Sequence, residues 1–191
     1  NDPLHLNDIQ KINKNLIKLI NTKISLTSEN ILILSFRSLD MVIFYDLDNK
    51  IINHIIVDLF LKQHSPRLHK DGFLYVFDNN NFSKTNSKIV KIDIENNTIV
   101  NTFEAKNFIS PIRGRIQFVD DDLYVQSSTQ GEIFKIVCKK IFFDNCKAKY
   151  LYSSNFNFFY PSSTYDKSFS FKKDGIYIGD FYEKNKVKFI D

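Results

Sequence analysis

The sequence predicts an all-β protein of the β-propeller class, about four blades of a larger ring. Three observations carry this expectation. β-Branched and aromatic residues fill short runs, and clusters of Asn, Asp, Ser and Gly separate them. The runs recur as strand, polar loop, strand, often followed by an acidic turn and a further strand. The recurrence has a period of roughly 40–50 residues, which is that of propeller blades. A blade is a four-stranded antiparallel sheet that buries its faces against its neighbours. A β-sandwich also uses short strands, but it does not predict the repeat.

Clear strand runs fall at residues 31–34, 41–45, 73–77, 89–94, 123–126, 133–137, 175–178 and 186–190. Pro occurs only at 3, 66, 111 and 161, outside all of these runs, as ladder pairing requires. The one helical-looking stretch is 9–21, where Ile12, Leu16, Leu19 and Ile20 fit a helix face; an irregular strand and turn fits equally well. The repeat pairs Ile31-Leu-Ile-Leu-Ser-Phe with Met41-Val-Ile-Phe-Tyr-Asp, and Phe73-Leu-Tyr-Val-Phe-Asp with Lys88-Ile-Val-Lys-Ile-Asp. It continues with Asp122-Leu-Tyr-Val-Gln and Glu132-Ile-Phe-Lys-Ile, then Gly175-Ile-Tyr-Ile-Gly-Asp and Asn185-Lys-Val-Lys-Phe-Ile-Asp. The chain reads as a single propeller domain or fragment over 1–191, with units near 1–60, 61–108, 109–160 and 161–191.

Each unit should begin with the innermost strand of its blade. Aligning Leu74-Tyr-Val on Leu123-Tyr-Val places His64 opposite Arg113; the fourth unit puts Tyr165 and Asp166 there, and the first unit has His5. Innermost strand starts face the central channel, so the repeat converges His5, His64 and Arg113 on one mouth. The first unit lacks a clean start and the last stops after two strands, so the expectation is a piece of a longer propeller. The opening Asn1-Asp-Pro-Leu, without Met, basic region or apolar stretch, agrees with that.

Composition narrows the function. Of 191 residues, 43% are hydrophobic, 15% aromatic and 25% charged, which excludes a disordered tail or a collagen. The +4 charge, 26 basic against 22 acidic residues, is spread along the chain and predicts neither a nucleic-acid partner nor a membrane patch. No apolar run reaches the roughly 18 residues that span a bilayer; the longest candidate, 51–61, is broken by Asn53, His54 and Asp58. Heavy use of Phe, Tyr, Ile, Asn and Lys, with Ala only at 105 and 148, reflects AT-rich coding, so Lys and Asn counts say little about function. Cys138 and Cys146 flank a seven-residue segment that can turn back as a hairpin; reduced thiols and a disulfide are equally compatible with that spacing, and neither makes a metal motif. There is no Walker loop, G-x-G-x-x-G, C-x-x-C, H-E-x-x-H or G-x-S-x-G. His54 reads as structural, and His69, five residues after His64, points to the opposite face of an extended strand.

Four segments, in order, resemble the arylsulfotransferase family. Asp2-Pro-Leu-His-Leu-Asn is similar to its H-x-N segment, and Ile33-Leu-Ser-Phe-Arg to its strand with an Arg just past the end. Lys62-Gln-His-Ser followed by Asp71-Gly-Phe-Leu-Tyr-Val-Phe-Asp-Asn resembles its Q-H-D/E segment and the D/N-G-x-L-L-x-F-D-N strand. Ser110-Pro-Ile-Arg-Gly-Arg-Ile-Gln resembles the corresponding segment of the next blade. The resemblance covers roughly the first two thirds of the chain.

It implies a six-bladed propeller that moves a sulfuryl group from a phenolic sulfate ester to another phenol through a sulfohistidine, without the nucleotide donor PAPS or another cofactor or metal. It makes His64 the nucleophile, Arg37 the sulfate-binding guanidinium, and His5 and Asn7 sulfate-binding groups, with His5 a proton donor to the leaving phenolate. Arg113 is expected to line the same channel and bind substrate. The implied partners are an aryl sulfate and a phenol, and the implied location is exported or periplasmic. Ser65 departs from the pattern, standing where the family has an acid, so whatever that acid does for His64 is absent. The competing reading is a non-catalytic propeller that binds a small anion or a protein partner in its channel.

Overall fold

The computed structural model describes residues 3–80, 86–105, 108–138 and 146–153. Over them the chain is all-β: three four-stranded antiparallel sheets, each a meander formed by consecutive strands. The first contains β1 (Leu6–Lys11), β2 (Ile31–Phe36), β3 (Met41–Asp46) and β4 (Ile51–Val57). The second contains β5 (His64–Leu68), β6 (Leu74–Asp78), β7 (Lys88–Asp93) and β8 (Thr98–Phe103). The third contains β9 (Arg115–Val119), β10 (Asp122–Ser127), β11 (Glu132–Val137) and β12 (Lys147–Ser153). The first strands of successive sheets are neighbours, β1 beside β5 and β5 beside β9. The expected strands at 175–178 and 186–190, and Tyr165 and Asp166, lie outside the described residues.

Alternation along the strands sorts side chains between two cores. On β6, Leu74 and Val76 join the core shared with the first sheet, while Tyr75 and Phe77 join the core shared with the third. The second sheet is thereby buried on both faces, and all five β6 residues are buried. Turns follow the expected chemistry. The Asp46 carboxylate accepts from the Asp48 N–H at 2.8 Å and the Asn49 N–H at 3.0 Å, and also from Thr27 and Ser28. These donors hold its pKa well below the usual carboxylate range, against the opposing effect of burial. Asp93 begins the equivalent turn, and the fourth residue after each, Lys50 and Asn97, takes a left-handed φ of 57° and 50°.

The structure sets three local details. The 9–21 stretch is not one helix: β1 runs through Lys11, and a seven-residue helix α1 (Lys14–Ile20) follows. Asn13 sets that boundary, since its side chain accepts the Leu16 N–H at 3.0 Å as an N-cap. The buried face is Ile17 and Ile20, and Leu19 is exposed. Pro66 does lie in a strand, β5, at a register shift between His64 and Arg67, where a bulge removes the need for its N–H. Cys138 and Cys146 are joined as a disulfide, which links the end of β11 to the approach to β12. Both pack against the second core.

The repeat offset is also corrected. His64 pairs with Phe77, and the residue aligned with Phe77, Gln126, pairs with Arg115 rather than Arg113. Between equivalent pairs, four residues separate Phe118 from Leu123 where five separate Leu68 from Leu74, and β9 lacks the bulge of β5. Together these move the match two residues along the chain.

Candidate functional site

The starts of β1, β5 and β9 and the ends of β2 and β6 gather at one end of the sheets. A pocket of about 230 Å³ opens there, lined by Asn7 and Asp8, by His64 and Ser65, and by Arg113, Gly114 and Arg115. Buried polar contacts hold these segments together. Gln63 is fully buried, and its Nε2 donates to Met41 O at 2.9 Å, Phe36 O at 3.2 Å and Ser35 Oγ at 3.2 Å. Its own carbonyl accepts from Asn7 Nδ2 at 2.7 Å. Gln63 therefore locks the residue before His64 to the first sheet. Asn7 Oδ1 is buried beside the pocket with no hydrogen-bond partner. Arg37, in the 3₁₀ turn after β2, donates its N–H to His5 O at 3.0 Å.

The geometry sets the tautomer of His64. Its Nδ1 lies 2.6 Å from Asn79 Oδ1 and 3.1 Å from Lys62 O. The Asn79 amide nitrogen donates to Ser110 O, and to Arg113 O at 3.3 Å, which fixes its oxygen toward His64. Both groups facing Nδ1 are acceptors, so Nδ1 carries the proton and Nε2 keeps a lone pair. Burial pushes the His64 pKa down from its ordinary 6.5, and the charges of Arg37 and His5 push the same way, against the bonds from Asn79 and Lys62. The ring is thus a neutral, oriented base or nucleophile at neutral pH.

The head of β5 and the segment leading into β9 thus meet at one pocket through His64, Ser65, Arg113, Gly114 and Arg115. The arylsulfotransferase (ASST) family model matches residues 1–137. The chain belongs to the arylsulfotransferase family. No curated protein and no solved structure matches it.

In this arylsulfotransferase chain, Asn7, His64 and Arg113 share the pocket lining. His5 and Arg37 are outside that lining but close enough for their charges to bear on His64. Ser65 does not face His64. It is buried, with φ 51°, and its hydroxyl spans the Ile116 backbone, 3.1 Å from both N and O. An acid at 65 would meet that backbone, not the imidazole, and the polar partner of His64 is Asn79. Sequence reasoning quoted the Asp78-Asn79 motif but gave Asn79 no role; it missed Arg115 through the repeat offset. His54 and His69 lie away from the pocket: His54 Nε2 meets Asn97 Oδ1 at 2.9 Å, and His69 stacks on Phe118 with ring centroids 4.1 Å apart. Among the described residues no group of three His, Cys, Asp or Glu side chains could hold a metal ion, and no helix is long and apolar enough to cross a membrane.

Gly114 is required by a close approach. A Cβ there would sit 2.2 Å from the ring of Phe77, which is fully buried and packed edge-on to Phe108. Gly114→Ala is expected to lower stability by about 1–3 kcal/mol, because neither the ring nor β9 can yield cheaply. Thermal unfolding of the variant checks this, and an unchanged melting temperature would contradict it.

Proposed function

We propose that this protein is an aryl sulfate:phenol sulfotransferase working through a sulfohistidine on His64, on a β-propeller scaffold. The observation that carries the reading is the His64–Asn79 bond, which leaves Nε2 as the ring nitrogen with a free lone pair at the pocket. In the first step Nε2 attacks sulfur, the bond from sulfur to the aryl oxygen breaks, and its electron pair leaves on the phenolate. The sulfated ring is then an imidazolium whose Nδ1–H stays bonded to Asn79 Oδ1 and Lys62 O, acceptors that stabilise the new positive charge. His5 donates the proton to the leaving phenolate, and Arg37 and Asn7 hold sulfate oxygens. In the second step an acceptor phenol gives its proton to His5, left neutral by the first step, and attacks sulfur; the S–N bond breaks and its pair returns to Nε2.

Two further features support the scaffold and setting. The outer face of the first sheet carries the row Ile9, Leu34, Ile43 and Ile55 across its four strands, with Ile9 54% and Ile55 44% exposed. In the second sheet the residues equivalent to Leu34 and Ile43 are Val76 and Val90, both fully buried against the first sheet. This face, open at Ile9 and Ile55 with Ile43 already buried, is patterned to pack against another sheet, as a propeller requires. The Cys138–Cys146 disulfide suits an exported, oxidising location such as the periplasm.

The test is a stopped-flow assay of the full-length protein with a chromogenic aryl sulfate. A stoichiometric burst of phenol and ping-pong kinetics with an acceptor are expected. Arg37→Ala should slow the burst by about 10²-fold, the effect typical of losing one preorganised charge on the transferring group. Arg37→Lys should recover little, since a point charge cannot replace the guanidinium fork. Sulfate transfer without a burst would exclude the covalent route.

A further inference from the structure

The turn between β2 and β3 is tied to the segment that carries His64 by more than packing. Gln63 Nε2 donates to the carbonyls on either side of the turn, Phe36 O and Met41 O. Inside it, the Arg37 N–H reaches His5 O, and the Asp40 N–H closes on Arg37 O at 3.4 Å. Asp40 then turns both carboxylate oxygens to one residue. Its Oδ1 accepts the Lys62 N–H at 2.5 Å, and its Oδ2 lies 3.4 Å from Lys62 Nζ. Lys62 has a φ of 54°, a left-handed conformation that is disfavoured for a residue with a Cβ. Its carbonyl is the second acceptor facing His64 Nδ1, at 3.1 Å. Asp40 itself has φ 48°, which Asp and Asn adopt more readily than other residues with a side chain. A continuous path of hydrogen bonds thus runs from the turn that holds Arg37, through Asp40 and Lys62, to the ring of His64.

We infer that Asp40 is a positioning residue for sulfuryl transfer, holding the Lys62 carbonyl on His64 Nδ1 and so fixing the nucleophile relative to Arg37 in its own turn. This rests on the sulfotransferase reading of the same pocket. Asp40 is outside the pocket lining and acts through Lys62 and His64. Without its Oδ1, Lys62 loses the bond that offsets its left-handed backbone, and relaxation carries the carbonyl away from Nδ1. The Asn79 bond remains, so the tautomer survives, but the ring is free to turn about that single contact. A misplacement of about 1 Å can cost about 10²-fold in rate, because the attacking nitrogen must meet sulfur in line.

The test follows the phenol burst from p-nitrophenyl sulfate across the acid limb, in the full-length protein, with folding checked by circular dichroism. Asp40→Gly keeps the left-handed backbone without strain and removes the acceptor. It should slow the burst by about 10- to 100-fold. The Lys62 carbonyl favours the protonated ring, so its loss should also move the acid limb to lower pH, with His5, Arg37 and Asn79 still acting on His64. Asp40→Asn keeps an acceptor oxygen and tolerates the same φ, so it should restore most of the rate and the position of the limb. Asp40→Ser, one atom too short to hold the Lys62 N–H, carries the same expectations if Asp40→Gly does not fold. An unchanged rate, or a slower rate with an unmoved limb, overturns the inference. So does an equal loss in Asp40→Gly and Asp40→Asn, which would make the charge facing Lys62 Nζ, not the backbone bond, the operative contact. If no burst occurs with any aryl sulfate, the sulfotransferase reading fails, and NMR titration of the His64 ring, assigned by its absence in His64→Ala, still tests the clamp. A His64 pKa lowered in Asp40→Gly and restored in Asp40→Asn supports it; an unchanged pKa overturns it.

Discussion

His64→Ala removes the phenol burst and lowers sulfuryl transfer by at least about 10⁴-fold, as expected when the nucleophile of a two-step reaction is deleted. The wild-type rate should also carry the signature of this imidazole. The reactive form is neutral, so on the acid side activity is lost as pH falls through the His64 pKa. Burial lowers that pKa below the ordinary 6.5, so the acid limb should lie below pH 6.5. Arg37 contributes to the lowering, so in Arg37→Ala the residual activity should show its acid limb moved to higher pH. Rate measurements between pH 4 and 8, at constant ionic strength, check the direction of both shifts.

Asn79→Ala should cost about 10³-fold in the burst rate, because Nδ1–H loses the acceptor that fixes the tautomer and supports the sulfated imidazolium. Asn79 acts through His64 and is a positioning residue, so rate loss alone does not identify its role. Asn79→Asp separates the possibilities. A carboxylate 2.6 Å from Nδ1 favours the protonated ring, so the His64 pKa rises and the acid limb moves to higher pH. The same change removes the donors to Ser110 O and Arg113 O, which should lower stability by about 1–3 kcal/mol. A purely structural Asn79 would give the stability loss with no movement of the pH limb.

The strands were legible because alternation survives wherever one face of a sheet meets a core. Leu74 to Phe77 and Ile89 to Ile92 read correctly from residue types alone. The edges were less legible. Residues 9–11 continue a strand, yet Lys and Asn punctuate the segment as they do a helix, and only the Asn13 cap marks the change. β5 contains Pro66 and a left-handed Ser65, so it breaks the rules that identify strands, and its bulge, together with the longer turn after it, displaces the match from Arg113 to Arg115. The disulfide was undecided because a hairpin brings Cys138 and Cys146 together whether or not they are oxidised. At the site, single residues carried the family motifs and the repeat, so His64, Asn7, Arg113, His5 and Arg37 could be named as candidates, of which the first three line the pocket and the last two do not. Their partners depend on side chains crossing between sheets, as Asn79 does to Ser110 and Ser65 does to Ile116, and no local pattern records such contacts.

The most direct measurement of the central claim is to quench the full-length protein at high pH soon after mixing with an aryl sulfate and to map the peptides by mass spectrometry. A phosphoramidate-like N–S bond on an imidazole survives alkali and is lost in acid. One sulfuryl group on the peptide containing His64, absent in His64→Ala and discharged by added phenol, is the predicted result. A transferase-active protein with no sulfuryl group on that peptide, or with one on a residue other than His64, would contradict the account.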